Sequence, residues 1–141
     1  MTTSDAAQWR AQRAEQAHAH AEALRRRQQA ESAQASALIA EFVAEARTLG
    51  PEPEPLRART YDGRARYRTP LVGWYLRVDE SVAIDTDGRF FVLRAPTSVK
   101  GMLRGVTPEA SDPPLVLGAG GKDGESLDLV EALSRVRARR A

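Results

Sequence analysis

The first 49 positions of the chain contain neither proline nor glycine and are dominated by Ala, Arg, Gln and Glu. These residues are strong helix formers, so the pattern predicts a helix from Ser4 to about Leu49. Over residues 5–37 the sizeable apolar side chains are Trp9 and Leu24, and a helix with so little to bury is marginal alone. We therefore expect residues 1–36 to form a polar helical or flexible arm, either frayed or ordered on a partner.

The last part of this helix carries an apolar stripe, which is expected to dock on the rest of the protein. Its members are Leu38, Ile39, Phe42, Val43, Ala46 and Leu49. Gly50 is placed to cap the helix and Pro51 ends it, and the Pro-Glu run of residues 51–55 predicts a stiff spacer. A heptad frame puts polar residues at three of ten seam positions, so weak self-association through this helix stays an open alternative. Residues 37–141 are expected to form one α+β domain.

Residues 56–94 alternate between apolar and polar side chains and contain two Asp-Gly pairs, which indicates two β-hairpins. In the second hairpin, a two-residue turn at Asp-Gly pairs Ile84 with Phe91. A three-residue loop over residues 79–81 then places Val78 opposite Val82. The predicted meander has one apolar face, formed by Trp74, Leu76, Val78, Val82, Ile84, Phe91 and Leu93.

The remaining residues predict short elements and a final helix. A helical turn is expected over residues 98–104 and a brief strand over residues 115–117. The last helix is expected to begin at about Leu127 with Ser126 as its N-cap. Its apolar face consists of Leu129, Val130, Leu133 and Val136. Two helical stripes can cover one side of a small antiparallel sheet, so the sequence predicts a two-layer α+β fold: a long polar helix, a β-meander and a C-terminal helix.

Composition and charge restrict the function classes. A chain of 141 residues suits one domain. The absence of cysteine excludes disulfides, a cysteine nucleophile and cysteine-ligated metals. No stretch approaches the roughly 20 apolar residues of a membrane span, and we expect a cytoplasmic protein. The net charge is +2, but residues 56–104 hold ten basic and five acidic residues, so positive charge is concentrated there.

Three other features are explained without a functional site. His18 and His20 lie two positions apart, so they face different sides of a helix and cannot bind one metal ion together. The run from Asp85 to Gly88 lacks the closing glutamate of a calcium loop, and the hairpin turn accounts for it. The glycine-rich segment 118–126 lacks the Ser or Thr that follows Gly-Lys in a phosphate-binding loop. We expect no catalytic residue, no metal site and no cofactor, although Asp and Glu side chains can still meet in three dimensions.

The first hairpin carries the remaining candidate. A two-residue turn at its Asp-Gly pair places Arg59 opposite Arg66. Two positions further along each strand, Arg57 lies opposite Arg68. The candidate binding surface is one face of this hairpin, formed by Arg57, Arg59, Tyr61, Arg64, Arg66 and Arg68. Like charges directly opposite each other cost a few tenths to about 1 kcal/mol per pair, so an anionic partner would stabilise this face. Solvated arginines, a nucleic-acid contact and an acidic protein contact are the three interpretations.

Several runs of the sequence resemble a group of short uncharacterised proteins from high-GC Gram-positive (actinobacterial) bacteria. The runs extend from Gly73 to Arg77, from Ile84 to Leu93, from Asp112 to Leu115 and from Gly120 to Ser126. The resemblance covers about residues 38–137. It implies a bacterial source, which the excess of arginine over lysine also fits, and it implies no activity.

These observations favour a non-enzymatic adaptor that binds an unknown partner protein through the arginine-faced hairpin and the helical arm. The alternative is a sequence-tolerant protein that binds RNA or DNA through contacts of the hairpin arginines with phosphates. An enzyme is a third possibility, which the residues themselves do not support.

Overall fold

The computed structural model describes residues 2–118 and 126–140. Within them, the helices are α1 (Thr3–Leu49), α2 (Val99–Arg104) and α3 (Leu129–Arg137). The strands are β1 (Glu54–Thr60), β2 (Arg66–Tyr75), β3 (Val82–Asp85), β4 (Phe90–Val92), β5 (Arg94–Ala95), β6 (Val116–Leu117) and β7 (Leu127–Asp128). The predicted α+β class is confirmed, with a long N-terminal helix, a largely antiparallel sheet and a C-terminal helix.

Helix α1 is continuous from its capped start to its glycine end. The Oγ1 atom of Thr2 accepts from the N–H of Asp5 (3.1 Å), while the Asp5 carboxylate accepts from the N–H of Thr2 (3.3 Å), which is a complete capping box. Gly50 has a φ of 75° and donates its N–H to the carbonyl of Ala46 (3.0 Å), so the predicted end is confirmed. With 47 residues, the helix is about 70 Å long.

The C-terminal third of α1 packs on the rest of the protein. Glu31 accepts from the N–H of Leu115 (3.0 Å), and the hydroxyl of Ser32 donates to the carbonyl of Pro113 (3.2 Å). The buried side chains that follow are Ala35, Ile39, Phe42, Val43 and Ala46. Four of these five side chains belong to the predicted stripe, and Ala35 does not. Of the other two predicted members, Leu38 is partly buried and Leu49, the last residue of the helix, is exposed. Most side chains before residue 31 are exposed.

The main sheet curls on itself. Its strand order is β4-β3-β2-β1-β5, and the two edge strands β4 and β5 are separated along the chain by Leu93 alone. The stretch from Phe90 to Ala95 therefore pairs antiparallel with β3 through its first half and parallel with β1 through its second half. Because both edges belong to one stretch of chain, the sheet has an enclosed inner face and an outer face.

Each face of this sheet has its own apolar core, whereas the sequence predicted one. The helix-side core consists of Ala35, Ile39, Phe42, Val43, Ala46, Trp74, Leu76, Ile84, Phe90, Leu117, Leu129, Ala132, Leu133 and Val136. The inner core consists of Leu56, Ala58, Tyr67, Leu71, Tyr75, Ala83, Phe91, Leu93 and Ala95. In the first, the rings of Phe42 and Trp74 meet edge to face with centroids 5.1 Å apart, a favourable aromatic geometry.

The predicted register of the second hairpin is wrong by one residue. Ile84 pairs with Phe90, not with Phe91, and Asp85 and Arg89 close the loop through the Asp85 N–H and the Arg89 carbonyl (3.0 Å). The loop therefore has three residues, with Gly88 at a φ of 79°. A shift of one residue exchanges the two faces of a strand, so Phe91 and Leu93 belong to the inner core.

The connection between β2 and β3 also differs from the prediction. Leu76 donates its N–H to the carbonyl of Val82 (2.9 Å), so the loop comprises the five residues 77–81 and not three. The register of β2 and β3 thus differs from the prediction by two residues. An even shift keeps each side chain on its face, so the apolar face retains Trp74, Leu76, Val82 and Ile84. Val78, which the sequence predicts on that face, lies in the loop and is 92% exposed.

Helix α3 begins two residues later than predicted. Leu127 and Asp128 pair with Leu117 and Val116 in the small β6–β7 sheet, and Asp128 rather than Ser126 is the N-cap. The buried face is Leu129, Ala132, Leu133 and Val136. Val130, which the sequence predicts on that face, is exposed, because its neighbour Leu129 is the inward position at the start of the helix.

Candidate interaction surface

The register of the first hairpin is as predicted. Arg57 pairs with Arg68 and Arg59 with Arg66. The turn differs in detail, since a four-residue loop connects Thr60 to Ala65 in place of a two-residue turn, but the pairing of the flanking residues is unchanged. The side chains of the intervening positions, Leu56, Ala58 and Tyr67, are buried in the inner core. The arginines therefore project from the opposite face.

The tip of this hairpin is organised by Asp62. One of its carboxylate oxygens accepts from the hydroxyl of Thr60 (2.6 Å) and from the N–H of Arg64 (3.0 Å). These hydrogen bonds, first that of Thr60 and then that of Arg64, hold the pKa of Asp62 below its ordinary value. Tyr61 is next to it and is largely exposed. The tip thus presents an aromatic ring together with the guanidinium of Arg64.

Two of the five arginines share one carboxylate within the molecule. Glu80, from the loop of residues 77–81, places one carboxylate oxygen 3.0 Å from Nη2 of Arg59 and the other 2.6 Å from Nη2 of Arg66. Glu80 has a φ of 61°, which is uncommon for a residue other than glycine. One carboxylate between two opposed guanidiniums offsets the repulsion that the sequence predicted for this pair.

The other three arginines have no internal carboxylate. Within the part of the chain that the structure describes, the guanidiniums of Arg57 and Arg64 form no ion pair, and both side chains are exposed. Arg68 donates from Nη2 to the carbonyl of Leu103 (3.0 Å). The sequence predicted five arginines that are available to a partner on this surface, and the structure leaves three.

Helix α2 adds an apolar part that sequence reasoning did not assign to the site. Strand β3 pairs only with residues 73–75 of β2, so the same edge of β2 is free nearer its start. Helix α2 lies along this free edge, and Val106, which follows the helix, donates its N–H to the carbonyl of Arg68 (2.8 Å). Gly101 faces inward, and a Cβ there would lie 2.7 Å from Cε2 of Tyr67. The Tyr67 hydroxyl accepts from the N–H of Ser98 (2.9 Å) and lies 3.1 Å from its carbonyl oxygen, to which it donates.

This packing turns the large side chains of α2 toward solvent. Val99, Met102 and Leu103 are 70%, 64% and 68% exposed. The sequence already showed their helical spacing but not which way they point. The sequence signal for that direction is Gly101, because the inward side of α2 has room only for a glycine and the large side chains must therefore face outward. Beside them, Arg68 and Arg104 line a shallow cleft of about 330 Å³. We name the whole set the hairpin–helix surface: Arg57, Arg64, Arg68, Arg104, Val99, Met102 and Leu103.

The carboxylates that could have met in three dimensions are separate. Asp79 accepts from the hydroxyl and the N–H of Ser81 (2.6 and 3.0 Å), Glu80 binds its two arginines, and Asp85 pairs with Arg89 (2.8 Å). Among residues 2–118 and 126–140, no group of three His, Cys, Asp or Glu side chains is placed to hold a metal ion. The glycine-rich residues 119–125 lie outside the described residues.

No family model matches the chain, and neither a curated protein nor a solved structure is similar to it. None of the helices in the described ranges is both long enough and apolar enough to span a membrane.

Proposed function

We propose that the protein is a non-enzymatic adaptor that binds a partner protein through the hairpin–helix surface. The observation that carries this proposal is the exposed apolar side of α2 beside arginines without an internal carboxylate. Large apolar side chains next to arginine are typical of protein interfaces, in which Met and Arg are enriched. A nucleic-acid backbone would contact the arginines and leave the apolar side chains of α2 in water.

The arm supplies the second contact of the adaptor. The exposed part of α1, before Glu31, is about 40 Å long and carries the exposed side chains of Trp9 and Leu24. Arg13 lies over the ring of Trp9, 4.7 Å from its centroid, so this end of the arm presents an aromatic and a cationic group together. A second binding segment held at a distance from the hairpin–helix surface is the arrangement that bridging two partners requires.

We place the protein in the cytoplasm of a bacterium. Two observations support this proposal: cysteine is absent from the sequence, and the excess of arginine over lysine fits a high-GC bacterial source.

Site-specific photo-cross-linking tests the proposal. A photoreactive residue replaces Met102 of the full-length protein in an actinobacterial host, and a second variant carries it at Val92, an exposed apolar position in β4. We expect a partner that cross-links at position 102 and not at position 92. Adding Leu103→Asp should reduce its yield at least about tenfold, whereas Val130→Asp on α3 should leave it unchanged. Identical protein sets at positions 102 and 92 would contradict the proposal.

Nucleic-acid binding is the second candidate, and the exposed Tyr61 beside Arg64 favours it because a base can stack on such a ring. With Arg59 and Arg66 held by Glu80, three arginines remain for phosphates. The log–log salt slope on duplex DNA is then expected near −2.7, at about 0.9 per contact. Changing Arg57, Arg64 and Arg68 to serine should abolish it. Binding of labelled RNA and DNA across a salt series measures this, and no binding at low salt eliminates the candidate.

A further inference from the structure

The hairpin contains two equivalent pairs of arginines, of which one is filled. Arg57 and Arg68 face each other across β1 and β2 as Arg59 and Arg66 do, two residues further along both strands. Side chains two residues apart on a strand point to the same side, so both pairs open toward the same face. The second pair holds the carboxylate of Glu80.

The first pair has the same donors, and no carboxylate of residues 2–118 or 126–140 is bound to it. Arg57 forms no ion pair within the described ranges. Arg68 uses Nη2 on the carbonyl of Leu103, and a guanidinium has five N–H donors, so most of its hydrogen-bonding capacity remains. Arg59 and Arg66, which face each other in the same register of the hairpin, already bind one carboxylate within this molecule, at 3.0 and 2.6 Å. The unfilled pair therefore matches the filled pair in charge and in strand register.

We propose that Arg57 and Arg68 bind a carboxylate of the partner protein in the way that Arg59 and Arg66 bind Glu80. This inference rests on the adaptor function proposed above and specifies the chemistry of its partner. Because the bond from Arg68 to Leu103 ties this pair to α2, the partner segment also carries apolar side chains that cover Met102 and Leu103. The partner thus presents an acidic, amphipathic segment.

The neighbouring groups favour a protein carboxylate. The cleft between Arg68 and Arg104 has room for a second acidic side chain, and the flanking side of α2 is apolar. Charge complementarity selects acidic segments over basic ones, and the apolar contact selects amphipathic segments over plain acidic stretches.

A random peptide library displayed on phage and selected on the full-length protein tests the inference. We expect selected peptides to be enriched in Asp or Glu next to large apolar residues. Binding of the synthesised peptides should weaken at least about tenfold in R57S/R68S, since charge-assisted hydrogen bonds are lost, and by a similar factor in M102D/L103D. The matched control is R59S/R66S, in which the pair already filled by Glu80 is removed, and it should change affinity by less than about threefold. Thermal unfolding verifies that each variant is folded.

The results separate this inference from the function on which it rests. Peptides that require Met102 and Leu103 but show no acidic enrichment, and bind R57S/R68S equally well, overturn the carboxylate site and leave the adaptor intact. If no peptide distinguishes the wild type from M102D/L103D, both proposals fail. Both proposals also fail if the protein binds no peptide and instead binds nucleic acid through Arg57 and Arg68.

Charge reversal gives an independent check. R57E/R68E should lose the acidic peptides and bind versions in which their Asp and Glu are replaced by Lys. If the folded R57E/R68E variant does not bind the Lys-containing peptides, a direct ion pair between these arginines and the peptide carboxylates is contradicted.

Discussion

The carboxylate of Asp85 accepts hydrogen bonds from the backbone N–H of Arg89 (2.9 Å) and from its Nε (2.8 Å). The same carboxylate accepts from the N–H of Asp87 (3.0 Å), and Asp85 is buried. One side chain therefore satisfies the amide of Asp87 within the three-residue loop and the amide of Arg89 that follows it. This arrangement explains why the loop is one residue longer than the Asp-Gly pair alone predicts, and hence why Phe91 and Leu93 belong to the inner core.

Replacing Asp85 with alanine should destabilise the fold. The part-buried amides of Asp87 and Arg89 would lose their acceptor, at a cost of about 1–3 kcal/mol for unsatisfied polar groups. Urea denaturation measures the change. Asp87→Ala is the control, because that side chain is exposed and should shift the free energy of unfolding by less than about 0.5 kcal/mol. Equal effects of the two substitutions would show that the loop does not depend on Asp85.

The inward face of α3 can be tested at two apolar positions that the sequence treated alike. Leu133→Asp should unfold the domain or cost at least about 3–5 kcal/mol, because Leu133 is 1% exposed and an unpaired charge would be buried. Val130→Asp should have little effect, since Val130 is 58% exposed. Thermal unfolding followed by circular dichroism compares them. A strong effect at both positions would return Val130 to the core.

Gly101→Ala should displace α2. The added Cβ would lie 2.7 Å from Cε2 of Tyr67, so either the ring or the helix must move. We expect a loss of about 1–3 kcal/mol, as for other overpacked sites, together with faster proteolysis at residues 99–104. Lys100→Ala is the neighbouring control, because Lys100 is exposed. A fully stable Gly101→Ala variant would show that Tyr67 yields at no cost.

The contact between α1 and α3 should depend on pH. Hydrogen bonds from Arg137, and then Arg140, hold the pKa of Glu45 below its ordinary value. A carboxyl whose pKa is lower in the folded state stabilises the fold above its unfolded pKa of about 4.5, and this contribution disappears as the pH falls through the folded pKa. When the pH is lowered from 7 to below 4, Glu45→Gln should therefore lose less stability than the wild type. Chemical denaturation at the two pH values measures both losses. Equal losses would contradict a stabilising role for this carboxylate.

Much of the local structure followed from residues next to each other. The capping residue Gly50 and the register of the first hairpin depend on interactions within a few positions, and the helix-forming composition of α1 acts residue by residue. The candidate surface was predicted in the same way: the pairing of Arg57 with Arg68 needs only the hairpin.

The tertiary structure decided what each side chain faces. Because the sheet curls so that β4 and β5 reach both of its edges, Phe91 and Leu93 enter an inner core that no local pattern indicates. The same folding brings Glu80 to Arg59 and Arg66, 21 and 14 positions away, and so separates the filled arginine pair from the free one. The amino-acid sequence alone determined the main helices, the hairpins and the distribution of charge, since propensity, capping and turn chemistry are local. Burial and ion pairing join residues far apart in the chain, and these were settled by the three-dimensional fold.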